Sequence, residues 1–480
     1  MNTFFTKSFI VLLVLFFSKL LIASEPEGHI IKISVKGLQE GKMCILANYY
    51  GDKQYIKDSA KVDSKGEVIF KGTEKYPQGV YMFILPTKKY FDFIMDAKQQ
   101  FTLATDTVDL IKNMKVKNSD ENKFFYEFQN FMGVKQDQIQ PLREELPKLK
   151  DKDSIKTVKD KITKIDAEVV SYKETFIKNN PNTFIAKLFN AMEEPKIPDA
   201  PLLANGAKDT LYPYRYYKAH FFDNVDFSDE RMLYTPLFHK KIKQYMDNLT
   251  AQTPDSINVS ADYLIQKGKA NKEVFKYLVY WLTYTYESSQ IMGMDAVFVH
   301  MVNKYYATKQ AYWVDSTQLD KITTRANTLE PILIGKKAPA LNMADSTGKN
   351  IPLYDVKAKY TIVLFWEHTC GHCKTAVPKL LTLYENKLKA QGVAVYAVEI
   401  DDKPIEWKKF VVENKLNWIN VHEMDPYKRA VAKKMYDIAS TPIIYVLDKD
   451  KIIIAKRLDV DQIEGLIDFM EKKDQPNNKK

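Results

Sequence analysis

Tyr360-Thr361-Ile362-Val363-Leu364-Phe365-Trp366 is an apolar run, and Glu367-His368-Thr369-Cys370-Gly371-His372-Cys373-Lys374 follows it directly. The run has the length and β-branched content of a buried strand, and the residues after Cys370 read as a helix start. Two thiols separated by two residues at such a start can close a disulfide and reopen it. The unsatisfied N–H groups and the positive dipole end of the first helical turn stabilise a thiolate on the first sulfur. A thiolate attacks other disulfides, so the arrangement suits dithiol–disulfide exchange. Cys370 is the expected nucleophile. Cys373, one turn in, is the expected resolving thiol, and His372 can place a positive charge beside Cys370.

Outward from this point, strands and helices alternate. A helix is expected over about 371–390, a strand over Val393–Ile400, and helices over Pro404–Glu413 and Pro426–Met435. A strand pair, Ile443–Leu447 and Ile452–Lys456, turns across Asp448-Lys449-Asp450, and a helix over Val460–Lys472 closes the order. This is an α/β pattern beginning near Ile334-Gly335. The expected domain runs over 334–474, with a polar, disordered tail at 475–480.

Upstream, residues 25–117 read as β-rich. Short runs at Ile30–Val35, Met43–Tyr49, Val68–Phe70, Val80–Leu85, Phe91–Met95 and Phe101–Ala104 are separated by turn signals. They suggest a small antiparallel sandwich or barrel. Residues 118–333 change to helical periodicity. Ser119-Asp120-Glu121 looks like a helix start, and Phe124, Phe125, Phe128 and Phe131 recur at helical spacing. Ser154 to Asn179 is a long polar helix with a thin apolar stripe. Tyr277, Tyr280, Trp281 and Tyr284 fall on one helical face, expected to be the packing face of a bundle. An aromatic groove for unfolded or peptide substrates is the other reading of that face.

The composition fits a multidomain globular chain: 480 residues, 45% hydrophobic and 28% charged. The net charge of +10 comes from spread lysines. No basic helix or aromatic-interleaved basic patch stands out, which argues against nucleic acid as a partner. Residues 1–24 carry Lys7, an apolar run Phe9–Phe17 and small residues Ala23-Ser24, the pattern of a signal peptide. Export to the periplasm or cell envelope is expected, with membrane association only if the leader stays uncleaved. Only three cysteines occur, Cys44, Cys370 and Cys373, too few for a disulfide-stapled scaffold. Cys44, within an apparent strand, reads as a buried structural thiol.

Phe365-Trp366-x-x-x-Cys370-x-x-Cys373-Lys374, with Pro378 and Thr441-Pro442, resembles the thioredoxin superfamily. The lead-in Gly335-x-x-Ala338-Pro339, then Asp345-x-x-Gly348 and Leu353, is similar to its exported TlpA/ResA-like branch. The resemblance covers about 334–472. The segments before it resemble poorly characterised domains that precede such domains in some bacterial exported proteins. It implies a C-terminal α/β thioredoxin fold behind a sandwich-like β-rich module and a helical module. It also implies thiol–disulfide oxidoreductase activity without a bound cofactor, on protein thiols and disulfides, with a thioredoxin-like electron donor or acceptor. Thr441-Pro442 would be the cis-proline loop that meets substrate together with Trp366, and Pro378 would kink the helix. The Gly-His dipeptide is that of protein disulfide isomerase, whose couple is comparatively oxidising.

Two departures accompany the likeness. Thioredoxin keeps a buried acid where this chain has Leu364, and the ResA-like branch has a Glu where it has Ala376. Glu367 and His368 are candidate proton carriers, expected in an exposed turn. A metal site made of His368, Cys370, His372 and Cys373 is too compact to wrap a tetrahedral ion, so no metal is expected. A client- or partner-binding envelope protein with an accessory dithiol, and a copper(I)-handling protein, are the alternatives.

Overall fold

The computed structural model describes residues 28–474, so the expected leader (1–24) and tail (475–480) lie outside the described residues. The described chain divides into two compact units. One runs to Glu193 and includes Leu233–Pro236, and the other comprises Glu194–Met232 and Leu237 onward.

The first unit opens with β1 (His29–Lys36), β2 (Met43–Tyr50), β3 (Lys53–Lys61), β4 (Glu67–Gly72), β5 (Gly79–Ile84), β6 (Tyr90–Met95), β7 (Gln100–Asp106) and β8 (Lys115–Lys117). They form two four-stranded sheets, ordered β4-β1-β7-β8 and β3-β2-β5-β6. Alternation along β1 and β7 turns Ile31, Ile33, Phe101 and Leu103 inward. There they meet Leu46, Phe70, Phe83 and Phe93 in one core. Each such side chain contributes roughly 1.5–3 kcal/mol by leaving water.

Three features of this unit depart from expectation. The pairing is not wholly antiparallel, since β1 and β7 run parallel. β3 is a full strand that apolar patterning does not reveal. It is an edge strand, exposed along most of its length, and Lys53, Lys57 and Lys61 guard it. β8 likewise carries no apolar run.

Helices α1 (Asp120–Glu145), α2 (Lys152–Asn179) and α3 (Phe184–Met192) complete the unit. α1 starts where expected, and Ser119 caps it, accepting from the Asn122 N–H. Asn122, fully buried, accepts from the Ile94 N–H and donates to the Ile94 carbonyl, both at 2.7 Å. This ties α1 to an edge strand of the sandwich. The buried Glu121 carboxylate accepts from the first N–H groups of α3, Phe184 at 2.6 Å and Ile185 at 3.1 Å.

The second unit holds α4 (Tyr212–His220), α5 (Pro236–Asn248), α6 (Pro254–Gly268), α7 (Lys272–Glu287), α8 (Asp295–Met301) and α9 (Ser316–Leu329). The α7 face expected to pack is corrected here. Tyr277 is buried, but Tyr280 and Tyr284 are 55% and 57% exposed and stack on each other at 6.3 Å. The face that packs is Val274, Phe275, Leu278, Leu282 and Tyr286, one step around the helix.

Within the same unit lies a seven-stranded sheet ordered β10-β9-β13-β12-β11-β14-β15. Its elements in chain order are β9 (Asn342–Asp345), β10 (Asn350–Pro352), β11 (Tyr360–Trp366), α10 (Gly371–Leu383), β12 (Val393–Glu399), α11 (Pro404–Glu413), β13 (Ile419–His422), α12 (Pro426–Met435), β14 (Ile443–Leu447), β15 (Ile453–Lys456) and α13 (Val460–Asp474). β11, β12 and β13 are parallel, as βαβ crossovers require, and β14 and β15 turn antiparallel. β11 is buried at every position, the mark of a central strand covered on both faces. The sequence pattern did not reveal β9, β10 and β13, which have three or four residues each.

Ion pairs fasten α8 and α9 to this sheet. Arg325 of α9 grips Asp437 through both of its terminal nitrogens, and Arg457 pairs with the same carboxylate. Lys456, almost wholly buried, pairs with Asp295 of α8 and donates to the Ile332 carbonyl at 2.8 Å.

Candidate active site

β11 ends at Trp366 and the chain crosses one short loop before α10 begins. Cys370 is the N-cap residue of α10, with extended backbone. Its sulfur is half-buried and lies 3.4 Å from the Thr441 carbonyl oxygen. Burial raises the Cys370 thiol. Hydrogen bonds with the Thr441 side chain, with Cys373 and from the His372 backbone N–H outweigh that burial and hold it below the ordinary thiol range. Cys373 is fully buried, and burial pushes it up to about 12. One sulfur is therefore accessible and easily ionised, and the other is sealed and reluctant.

Thr441-Pro442 is a cis peptide bond, as the resemblance implied. Both residues are half-buried, and their loop faces Cys370. The His372 side chain is exposed on the first turn, and it is the backbone N–H of this residue that reaches the Cys370 sulfur. The expectation that Trp366 meets substrate is corrected. Trp366 is 0% exposed and its ring packs on Phe410 at 5.4 Å, because the last residue of a doubly covered strand is core.

The expected exposed turn is also corrected. Glu367 is half-buried, but His368 is buried. His368 Nδ1 lies 3.4 Å from the Glu399 carboxylate. Glu399 ends β12 in register with Trp366, and it shares the sheet face of Val393, Val395 and Ala397, which pack in one core with Cys373. It is 1% exposed, and burial pushes its carboxyl up to about 8, despite backbone N–H groups of Asp401 and His368 that favour the charged form. The chain thus has a buried acid beside the dithiol loop, on the neighbouring strand rather than at Leu364. Sequence reasoning missed it. The available signal was a glutamate at the end of an otherwise apolar strand, in Val393-Ala394-Val395-Tyr396-Ala397-Val398-Glu399.

His368 Nδ1, Glu399 and Asp401 bring three ligand atoms within 4.8 Å of one another, the one such cluster among the described residues. Asp401 accepts from the Thr369 hydroxyl at 2.7 Å and Glu399 Oε1 from the Asp401 N–H at 3.1 Å, while the buried Glu399 Oε2 has no hydrogen-bond partner among the described residues. A small divalent ion has the right donor types here. The four residues His368, Cys370, His372 and Cys373 do not form such a cluster.

The AhpC/TSA family matches residues 334–456, and two domains of unknown function, DUF5106 and DUF4369, match 150–330 and 29–125. The thiol-disulfide oxidoreductase ResA of Bacillus thuringiensis subsp. konkukian is 30% identical over 143 residues, 30% of this chain and 80% of that protein. ResA of Bacillus anthracis is 29% identical over the same shares. A solved domain of a possible thiol-disulfide isomerase from Cytophaga hutchinsonii is 45% identical, covering 29% of this chain and 95% of that one, with a TM-score of 0.28. Through its C-terminal domain the chain belongs to the ResA-like thiol-disulfide oxidoreductases of the thioredoxin superfamily.

Proposed function

We propose that the chain exchanges disulfides with protein substrates in the cell envelope through the Cys370-Gly371-His372-Cys373 dithiol. The observation that carries this reading is the opposed state of the two sulfurs, Cys370 lowered and half-open at a helix N-cap, Cys373 buried and raised to about 12.

In the reducing direction the Cys370 thiolate attacks one sulfur of a substrate disulfide. A bond forms between the two sulfurs and the second substrate sulfur leaves as a thiolate. Cys373 then loses its proton and attacks the Cys370 sulfur, closing the Cys370–Cys373 disulfide and releasing the first substrate sulfur. Two electrons pass from the dithiol to the substrate, and a thioredoxin-like donor restores them. The oxidising direction is the reverse. Thr441-Pro442 offers its backbone to the substrate chain beside Cys370. Glu399, which meets the dithiol loop through His368, is the buried acid that stands in for the one absent at Leu364 and is assigned as acceptor for the Cys373 proton.

The placement in the envelope rests on the leader pattern of residues 1–24. Among the described residues no helix is long and apolar enough to cross a membrane.

The deciding experiment equilibrates the full chain with glutathione and labels free thiols for mass analysis. A potential at or below about −250 mV assigns a reductase, and one between about −180 and −120 mV an oxidase or isomerase. A pair that never equilibrates overturns the exchange reading. The double variant Cys370→Ser, Cys373→Ser then separates enzyme from binding protein, because a binding protein keeps its affinity for client.

A further inference from the structure

Within the second unit, α9 and the segment from α12 towards β14 border an open cleft of about 470 Å³. Lys321, Thr324 and Arg325 of α9 line one side, and Lys433, Lys434 and Ala439 line the other. Ala439 lies two residues before Thr441, whose carbonyl is 3.4 Å from the Cys370 sulfur. At the same end Lys433 reaches back to Glu367, three residues before Cys370, at 3.9 Å. A chain held at Cys370 and continuing past Thr441 towards Ala439 would meet this cleft and, with it, a helix from outside the seven-stranded sheet.

The rim is cationic. Its lining carries four basic side chains, Lys321, Arg325, Lys433 and Lys434, against Asp320 and Asp437, and Asp437 is paired with Arg325. Lys321 and Lys434 are exposed and have no ion-pair partner among the described residues. Lys433 is balanced by Glu367, and Asp320 is the one further acid on the rim. The two-pronged grip of Arg325 on Asp437 holds α9 against the sheet, so the wall stands before any partner arrives.

We propose that this cleft receives an extended polypeptide carrying acidic side chains next to its cysteine, and that α9 selects substrates by charge. The inference rests on Cys370 and Cys373 as the exchanging pair and adds the substrate class to it. Charges at such a rim act on encounter and on salt dependence more than on the chemical step.

The test uses the reduced full chain with two disulfide-linked peptides that differ only in flanking Asp or Asn residues, and with neutral hydroxyethyl disulfide as the small substrate. The wild-type chain is expected to reduce the Asp peptide with a KM about tenfold lower than the Asn peptide, a preference that fades with added salt. The double variant K321E/K434E, altered only at exposed positions, is expected to lose the preference while reducing hydroxyethyl disulfide at the wild-type rate. An equal preference in wild type and variant, or none in the wild type, overturns the charge-selecting cleft and identifies a merely solvated basic face. Failure of the wild type on hydroxyethyl disulfide overturns the exchange reading itself, and this inference with it.

Discussion

The sandwich and the seven-stranded sheet each hold cysteine on or beside a strand, and they treat it in opposite ways. Cys44 lies inside β2, 0% exposed, and burial raises its thiol to about 11. Cys370 sits where a strand has ended and a helix begins, half-open, with hydrogen bonds that favour the thiolate. The same side chain is packing material in one place and a reagent in the other. Solvent access and N–H groups aimed at the sulfur separate the two. The glutamates repeat the lesson. Glu121 is buried but answers two helix N–H groups at α3, whereas burial lifts Glu399 to about 8 beside the dithiol loop.

The sharpest way to break this comparison is to remove the reagent. Cys370→Ser is expected to lower disulfide turnover on the order of 10³-fold or more, to background, with the melting temperature little changed. Cys373→Ser is expected to stall with the substrate covalently attached to Cys370, visible as a mixed disulfide by intact-mass measurement. Wild-type turnover in Cys370→Ser would sink the contrast between the two regions.

The polar group that serves only structure comes next. Asn122→Ala leaves both backbone groups of the buried Ile94 unanswered and is expected to cost about 2 kcal/mol in denaturant unfolding. Turnover per folded molecule is expected to stay the same. Lost activity at full stability would show that the sandwich takes part in the chemistry.

Glu399→Gln probes the other buried acid. A wild-type rate that climbs through about pH 8 is expected to lose that step in the variant and to fall about tenfold above it, because no carboxylate is left to accept the Cys373 proton. The stability of the fold moves with the same group. Its folded value of about 8 lies above the ordinary carboxylate value of about 4.3, so its contribution is full below about pH 4 and is lost as pH rises through about 8. Gln does not titrate, so the variant's melting temperature is expected to fall less between pH 5 and pH 9 than that of the wild type. Identical pH profiles for wild type and variant would remove Glu399 from the mechanism.

How much of this the sequence displayed follows from range. Cys370 and Cys373 are three residues apart, and a helix start is a local event, so their pattern is plain in the letters. β11, β14 and α11 are equally plain, because runs of one character reflect uniform surroundings. Glu399 and His368 are 31 residues apart and meet only through the parallel register of β11 and β12, which no local spacing encodes. β3 escaped for the opposite reason. An exposed edge strand buries almost nothing, so it shows no alternation. The parallel pairing of β1 with β7 joins the two ends of the sandwich and is likewise non-local. Trp366 belongs to a motif that names a site, but its position as the last residue of a doubly covered strand turns it into the core.

The smallest effect is expected at Cys44, and it tests the comparison from its quiet side. Cys44→Ala removes one sulfur from a sealed core that includes Leu46, Val68 and Phe83. The lost packing is expected to cost about 1 kcal/mol, with no change in turnover or in the potential of the Cys370–Cys373 pair. Alkylation sharpens the point. In the native reduced chain iodoacetamide is expected to modify Cys370 first, because its thiol is lowered and half-open. Cys44 is expected to react only once denaturant has opened the sandwich, because a thiol raised to about 11 and wholly buried presents neither a thiolate nor a path to it. Labelling of native Cys44 at a rate near that of Cys370 would mean that the sandwich opens on its own. The two regions would then differ in chemistry but not in access.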